Sequence, residues 1–426
     1  MVAPASGAPG GTVAWESGVA DIVSVGSPVA ASPGPGVLML LLDPYERDAR
    51  VEKQVATLVA AGHPVTVLAW NRHATSRAEE ERGGARIERV AVRSPSGSKW
   101  RALSRIARVY VWYVRRGRVL KWDVLVAHDM YTWIPGLILG ALLGRRVVLD
   151  AHEPYAEQIV GILPSLAPLL GPLRWLEGFL ARRGHTVLTV TPRMVTRLQS
   201  LGVRRVFYLP NVPNVIPSAP ARGAGAAERL VIGSVGSITP RYSGVEHFLE
   251  VAELLRTRGV PVHAVLGGPV LAGWEPEFLR RVEAAGSLVQ YLGVVPFARV
   301  PEVLETFDVM LSLKDSRAPT SEYGYSTKIF DAMAAGVPVV TTRVTEDPDL
   351  VESTGCGVVV AAPVDVAEVA DRVVEIWRDP LRRQAMREAG LRAVAERYRW
   401  GAFEQAYRDV LFGPERPGRR SPAAGA

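Results

Sequence analysis

Short apolar runs alternate with amphipathic helical patterns along most of this chain, in two blocks separated by a proline-rich break. Gly36–Leu42 (GVLMLLL) has the length and continuous apolarity of a strand buried on both faces. A helical pattern through Val51, Val55, Leu58 and Val59 follows, stops at Ala61-Gly62-His63, and gives way to a second strand at Val65–Trp70. This is one βαβ unit, whose crossover is right-handed. Further strands are expected at Asp123–Ala127, Arg146–Asp150, Thr186–Val190 and Arg205–Leu209, with helices at Pro135–Leu143 and Leu173–Ala181. Pro210–Pro220 then holds four prolines, and Ala221–Ala227 is rich in Ala and Gly. The same grammar restarts with strands at Leu230–Val235, Val262–Leu266, Val289–Leu292, Val309–Leu313, Pro338–Thr342 and Gly357–Val360. Helices at Val245–Arg258, Pro301–Phe307, Thr327–Ala335 and Val366–Arg378 interleave with them. Two such blocks predict an α/β protein of two Rossmann-like, doubly wound parallel-sheet domains facing each other across a cleft.

The 426 residues suffice for two such cores. The expected division is a flexible extension over 1–35, a first domain over 36–212, a linker over 213–228, a second domain over 229–385, C-terminal helices over 386–412 and a tail over 413–426. The extension is rich in Ala, Gly, Pro, Ser and Val and lacks the basic start and continuous apolar core of a secretory signal. The single cysteine, Cys356, excludes an internal disulfide framework and fits a reducing compartment. The runs Val37–Leu42 and Trp133–Leu143 are too short or too glycine-interrupted to span a bilayer. A soluble cytoplasmic chain is expected, or one peripheral at the inner membrane face. The formal charge of +7 favours an anionic partner without choosing among nucleotide, lipid headgroup and nucleic acid.

Tyr323–Val340 (YGYSTKIFDAMAAGVPVV) runs from a glycine-containing polar loop into a helix, whose first amides have no intrahelical partner and favour an anion. The loop residues Glu322, Tyr323, Gly324, Tyr325, Ser326 and Thr327 are therefore candidate ligand contacts. Lys328 in the first turn adds a point charge beside a phosphate. Asp331, three residues on, is expected to face the same spot and to accept hydrogen bonds from a cis-diol.

This segment resembles the donor-binding motif of retaining family 4 glycosyltransferases of the GT-B fold. Their pattern of two glutamates separated by seven residues, followed by an Ala-Met-Ala-x-Gly-x-Pro-Val-Val run, is matched from Ala332 to Val340. The resemblance implies that Asp331 holds the donor ribose. Tyr323 stands where the first glutamate is usual, with Glu322 adjacent. Gly233–Gly244 (GSVGSITPRYSG) resembles the family's phosphate-approaching loop. There Gly236 permits close backbone approach, Ser237 replaces a usual arginine, and Arg241 is the surviving basic contact. Asp43–Lys53 resembles the opening loop of the acceptor-side domain, with Arg50 and then Arg47 as candidates. Tyr398–Leu411 resembles the helix that crosses back onto the first domain in this family.

Two strand ends complete the expectation. Val126–Asp129 (VAHD) places His128 and Asp129, and Asp150–Glu153 (DAHE) places His152 and Glu153, just beyond parallel strands, where α/β folds bind ligands. The resemblance assigns His128 to the donor sugar; His152, Glu153 and Asp129 are read as cleft or acceptor contacts. No compact ligand motif such as HExxH occurs, so neither metal nor cofactor is expected beyond the sugar nucleotide itself.

Lys99–Lys121 carries eight Lys/Arg and no acid. Trp100, Leu103, Tyr110, Val111 and Val114 are assigned to its core face; Arg101, Arg105, Arg108 and Arg115 to an outer face with Trp112. A solvated face and contact with anionic lipid both fit; no nucleic-acid motif accompanies the charge. The function implied is transfer of a hexosyl unit from a nucleoside diphosphate sugar to a small-molecule or lipid-linked acceptor, with His128, Arg241 and Lys328 catalytic. A sugar-nucleotide epimerase of the same build and a non-catalytic scaffold are the alternatives.

Overall fold

A computed structural model describes residues 34–45, 48–72, 76–92, 99–214, 228–240, 242–314 and 323–413, with backbone alone for 99–103. The expected extension and tail, most of the linker, Arg47, Arg241 and Glu322 lie outside the described residues, as do the side chains of Trp100, Arg101 and Leu103.

The first half runs β1 (Val37–Leu41), α1 (Ala49–Ala60), β2 (Val65–Trp70), β3 (Glu79–Arg82), β4 (Ala85–Val90), α2 (Lys99–Val119), β5 (Val124–His128), α3 (Met130–Leu143), β6 (Arg146–Ala151), α4 (Tyr155–Ile162), a 3-10 turn (Pro164–Leu169), α5 (Leu170–Ala181), β7 (Thr186–Thr189), α6 (Pro192–Ser200) and β8 (Val206–Tyr208). Its sheet has the order β3-β4-β2-β1-β5-β6-β7-β8. Every residue of β1 is buried, because helices cover both faces of a central parallel strand. Val37 sits opposite both Val65 of β2 and Val124 of β5. The edge strand β3 is antiparallel to β4 and escapes a search for apolar runs, being Glu-Glu-Glu-Arg. Gly83 and Gly84, both at positive φ, close the two-residue turn, and the acidic residues blunt the sheet edge.

The second half runs β9 (Leu230–Val235), α7 (Val245–Thr257), β10 (Val262–Gly267), α8 (Glu275–Ala284), β11 (Val289–Tyr291), α9 (Val300–Leu304), β12 (Val309–Ser312), α10 (Thr327–Ala334), β13 (Val339–Thr342), α11 (Asp347–Thr354), β14 (Gly357–Val360) and α12 (Val366–Arg378). Its wholly parallel sheet has the order β11-β10-β9-β12-β13-β14. Two α/β sheets in this arrangement form a GT-B fold.

α13 (Pro380–Glu396) and α14 (Glu404–Phe412) end the described chain. On the first half, Tyr407 Oη donates to Gln54 Oε1 at 2.9 Å and Trp400 Nε1 to Thr57 Oγ1 at 2.7 Å. Arg146 Nη1 reaches the Leu411 carbonyl at 2.8 Å. One apolar cluster therefore runs from β1 and α1 through Trp400 and Tyr407 to Phe330 and Met333 of α10. Each such aromatic contributes about 1.5–3 kcal/mol by leaving water.

Two helices differ from expectation. α3 begins at Met130, five residues before Pro135, which is buried inside it. In α2 the core face is Val109 and Tyr113, whereas Val111 is exposed. Of the expected outer arginines, Arg105 is buried; Arg116, outside that set, is bonded to Glu88. No described helix is long and apolar enough to cross a membrane.

Candidate functional site

A cavity of about 690 Å3 lies between the two halves. Its walls include Arg50, His152 and Glu153 from the first half and Lys314, Tyr323 and Thr327 from the second. The elements supplying them converge at the carboxyl ends of both sheets, where the strand geometry leaves loops free to carry polar groups.

The first-half wall is organised by Asp150, which ends the buried strand β6 and is itself fully buried. It accepts from Arg50 Nε at 3.1 Å, from Arg50 Nη2, and from Gln54 Nε2 at 3.0 Å. Burial alone would raise its pKa, but Arg50 and His152 outweigh that and hold the carboxyl well below the usual carboxylate range. His152 Nε2 lies 3.0 Å from Asp150 Oδ2 and its Nδ1 lies 3.5 Å from Asp129 Oδ1. Burial and Arg50 oppose its protonation, but the two carboxylates prevail and its pKa is raised. Asp129 adopts φ 63° and ψ 150°, a strained conformation for a residue with a side chain. Tyr155 Oη donates to its Oδ1 at 2.8 Å, and the His152 amide donates to that same hydroxyl at 3.2 Å. The strained turn thus fixes the His152 ring between two acids. Burial also pushes the Glu153 carboxyl up.

His128, which the resemblance assigned to the donor sugar, is enclosed. It is 1% exposed and absent from the cavity wall, with Nδ1 3.1 Å from Asp150 Oδ2 but not aligned for a hydrogen bond. Its ring meets that of His152 edge-on at 6.3 Å. The histidine that reaches the cavity is His152. His128, Asp150 and His152 could offer a cation three ligand atoms within 4.8 Å of one another. The guanidinium already bonded to both oxygens of Asp150 opposes a second positive charge there.

On the second half, Gly244 has φ 69°, and a Cβ there would meet the Leu313 carbonyl oxygen at 1.4 Å, so only glycine brings this loop against β12. Gly236, with φ 146°, is bare on the side where Lys328 crosses it; the place of its absent Cβ is 3.4 Å from Lys328 Cε. Ser237 lines the same crevice. Burial lowers the Lys328 pKa to about 8, with Lys314 adding to the effect and Asp347 opposing it. Asp347 is fully buried; it accepts from the Ser326 amide at 2.6 Å and lies 3.3 Å from Lys314 Nζ. It therefore fixes the entry to α10, whose next two amides, on Thr327 and Lys328, have no partner among the described residues. Gly324, Tyr325 and Thr327 line the cavity, and Ser326 is buried beneath it. Tyr323 also lines it, its ring 5.8 Å from the Arg197 guanidinium of the first half.

Asp331 does not share a spot with Lys328. It borders a separate space of about 140 Å3 beside Phe297, Val300, Leu304 and Pro213. Burial raises its pKa to about 6, against the pull of Lys53. Lys53 donates to Asn211 Oδ1 at 3.0 Å and to the Val212 carbonyl, and its own pKa falls to about 8 through burial and Arg50. Lys53, Asp150, Lys314 and Asp347 were missed as site residues. Asp150 and Lys314 stand at or just past the carboxyl end of a parallel strand, the signal that singled out His128 and His152, whereas Asp347 opens the helix α11.

Two Rossmann-like sheets with a cleft of strand-end polar groups and an anion-receptive helix start define a GT-B protein. Residues 229–379 match the model of "Glycosyl transferases group 1" and residues 48–212 that of "Glycosyl transferase 4-like domain". The chain belongs to the group 1, family 4-like glycosyltransferases of GT-B fold. It is 27% identical over 173 residues to the O-antigen chain mannosyltransferase B of Escherichia coli, a match covering 39% of this chain and about two fifths (41%) of that protein. The structure resembles sucrose-phosphate synthase from Thermosynechococcus elongatus, with a TM-score of 0.71, 15% identity, and 88% and 99% of the two chains covered. It also resembles Anabaena Alr3699/HepE in complex with UDP, with a TM-score of 0.63, 16% identity, and 88% and 99% covered.

Proposed function

We propose that the protein transfers a glycosyl unit from a nucleoside diphosphate sugar to an acceptor hydroxyl, with retention of anomeric configuration as the family resemblance implies. The observation that carries the reading is Lys328 lying across the bare backbone of Gly236 at the start of α10. A lysine, the close backbone approach that Gly236 permits and two unpartnered helix-start amides suit a diphosphate, and a helix start favours negative charge. As the anomeric C–O bond breaks, the same groups stabilise charge building on the departing β-phosphate, while the acceptor oxygen bonds to the anomeric carbon and passes its proton to an oxygen of that phosphate. Asp331 receives the ribose hydroxyls, on the side of Phe297. The sugar extends into the cavity toward His152, whose pKa the two neighbouring acids raise, and Glu153. His128 supports Asp150 from behind and touches no substrate. Closure of the cleft excludes water that would otherwise hydrolyse the donor. The crystallised complex of the structural neighbour with UDP agrees with a nucleotide donor.

The test is incubation with UDP-, GDP- and dTDP-sugars, with and without a panel of acceptor alcohols, following nucleotide release and donor identity. Acceptor-dependent release is expected. An isomerised donor without acceptor would replace transfer by epimerisation, and no binding of any sugar nucleotide would overturn the reading.

A further inference from the structure

A run of exposed apolar residues reaches the cavity wall at Gly161 and Ile162. Gly161–Leu176 (GILPSLAPLLGPLRWL) joins the end of α4, the 3-10 turn and the start of α5, and carries one charge, Arg174. No residue of the 3-10 turn is buried. Ile162 is 68% exposed and Trp175 62%, and Leu163, Leu169 and Leu176 are exposed as well. Monomeric soluble proteins rarely leave so many large apolar side chains contiguous in water. Ile162 and Gly161 also line the cavity, so the apolar lip is continuous with its wall.

The other end of α5 has the opposite character. Trp175 stacks on Phe179 at 5.1 Å, and the Arg183 guanidinium lies 3.4 Å from the Phe179 ring, continuing the i, i+4, i+8 stripe. Just beyond, Arg182, His185, Arg204 and Arg205 line a concavity of about 480 Å3. Arg205 Nη1 lies 3.3 Å from His185 Nε2, and no carboxylate pairs with any of these four among the described residues. Exposed arginines of the second half, by contrast, carry acids: Arg256 with Glu253, Arg280 with Glu277, Arg343 with Glu352. A concave cluster of three arginines without carboxylate partners is repulsive until an anion enters.

We propose that this face docks on an anionic phospholipid bilayer, with the lip 161–176 entering the acyl boundary and the arginine concavity taking lipid phosphates. One helix of about 18 Å links the two features, and an apolar start, an indole and a basic end are what an interfacial helix requires. The surface differs from the basic helix α2, where Arg105 is buried and Arg116 is bonded to Glu88. The docked protein presents its cavity mouth to the lipid surface.

Full-length protein is floated with phosphatidylcholine vesicles, with and without about a third phosphatidylglycerol. Binding to the anionic vesicles alone, weakened by salt, is expected. Leu169→Ser/Trp175→Ser and, separately, Arg204→Ser/Arg205→Ser should each lower partition about tenfold or more, with unchanged circular dichroism and unchanged sugar-nucleotide binding. Three results would overturn the proposal. One is no vesicle binding, including the case where the apolar pair instead dissociates a dimer of this chain. Another is undiminished, wild-type binding by both double variants. The third is inorganic phosphate bound at Arg204 and Arg205 while vesicles are ignored, which makes the concavity a free-anion site. Loss of binding only in Arg115→Ser/Arg118→Ser would move the contact to α2.

Discussion

Arg50 and Asp150 stand one hundred residues apart and meet as a two-pronged pair, Nε on Oδ2 at 3.1 Å and Nη2 on Oδ1, with both side chains out of solvent. The contact ties the first turn of α1 to the end of β6, so the first helix and the cavity wall move as one body. It also commits the arginine: a residue expected to meet substrate spends its fork on a structural carboxylate, leaving only an edge on the cavity.

Removing one partner of such a pair leaves a buried uncompensated charge. Arg50→Ala should therefore cost about 3–5 kcal/mol in urea unfolding. Because the Asp150 carboxyl titrates below its ordinary value in the folded state, the pair's contribution is complete above that ordinary value. It is lost as pH falls below that value toward the folded one. The wild type should thus converge on the variant in acid; a loss under about 1 kcal/mol at neutral pH would show the pair to be solvated.

Asp331 accepts hydrogen bonds from a ribose most strongly as a carboxylate. With its pKa raised by burial to about 6, donor affinity should fall as pH drops through that value. Asp331→Asn should bind about ten- to a hundredfold more weakly, with the bend near pH 6 gone from calorimetric titrations. A wild-type bend near the ordinary carboxylate value would mean that the group is open to water.

Lys328 carries its charge below about pH 8 and loses it above. The kcat/KM for transfer should decline on the alkaline side with that apparent value, since this ratio reports the free enzyme. Lys328→Ala should lower kcat/KM by about 10²–10³-fold. Lys53 has a similar value, so the discriminating variant is Lys328→Arg, which should retain part of the activity and abolish the alkaline decline. Persistence of the decline in Lys328→Arg would assign it to another group.

Fold and site were legible in the sequence to different depths. Buried parallel strands such as β1 and β9 announce themselves because both faces are apolar, and the twofold alternation with helices fixes the architecture. β3 is invisible to that criterion, since an edge strand of Glu and Arg resembles a loop until its Gly-Gly turn is considered. Strand ends flagged the wall residues, but not which of two adjacent histidines faces outward. That depends on Asp129 adopting a positive φ and on Tyr155 bracing it, a long-range outcome. The three-residue spacing of Lys328 and Asp331 also misled, because helical phase places two Cα atoms on one side without directing their side chains. Lys328 turns to Gly236 and Asp331 to Phe297.

The pair His128 and His152 offers the sharpest separation of structure from chemistry. His152 lies on the cavity wall between Asp129 and Asp150, so His152→Ala should lower kcat/KM by about 10²-fold or more. His128 is enclosed, and His128→Ala should cost about 1–3 kcal/mol by emptying a buried site, while the folded fraction keeps most of its kcat. His152→Asn, which retains a polar side chain but not the imidazolium, should restore sugar-nucleotide binding more than turnover. The reverse pattern, with His128→Ala inactive but stable and His152→Ala active, would show that the ring beneath the wall, not the one on it, meets the transferred sugar.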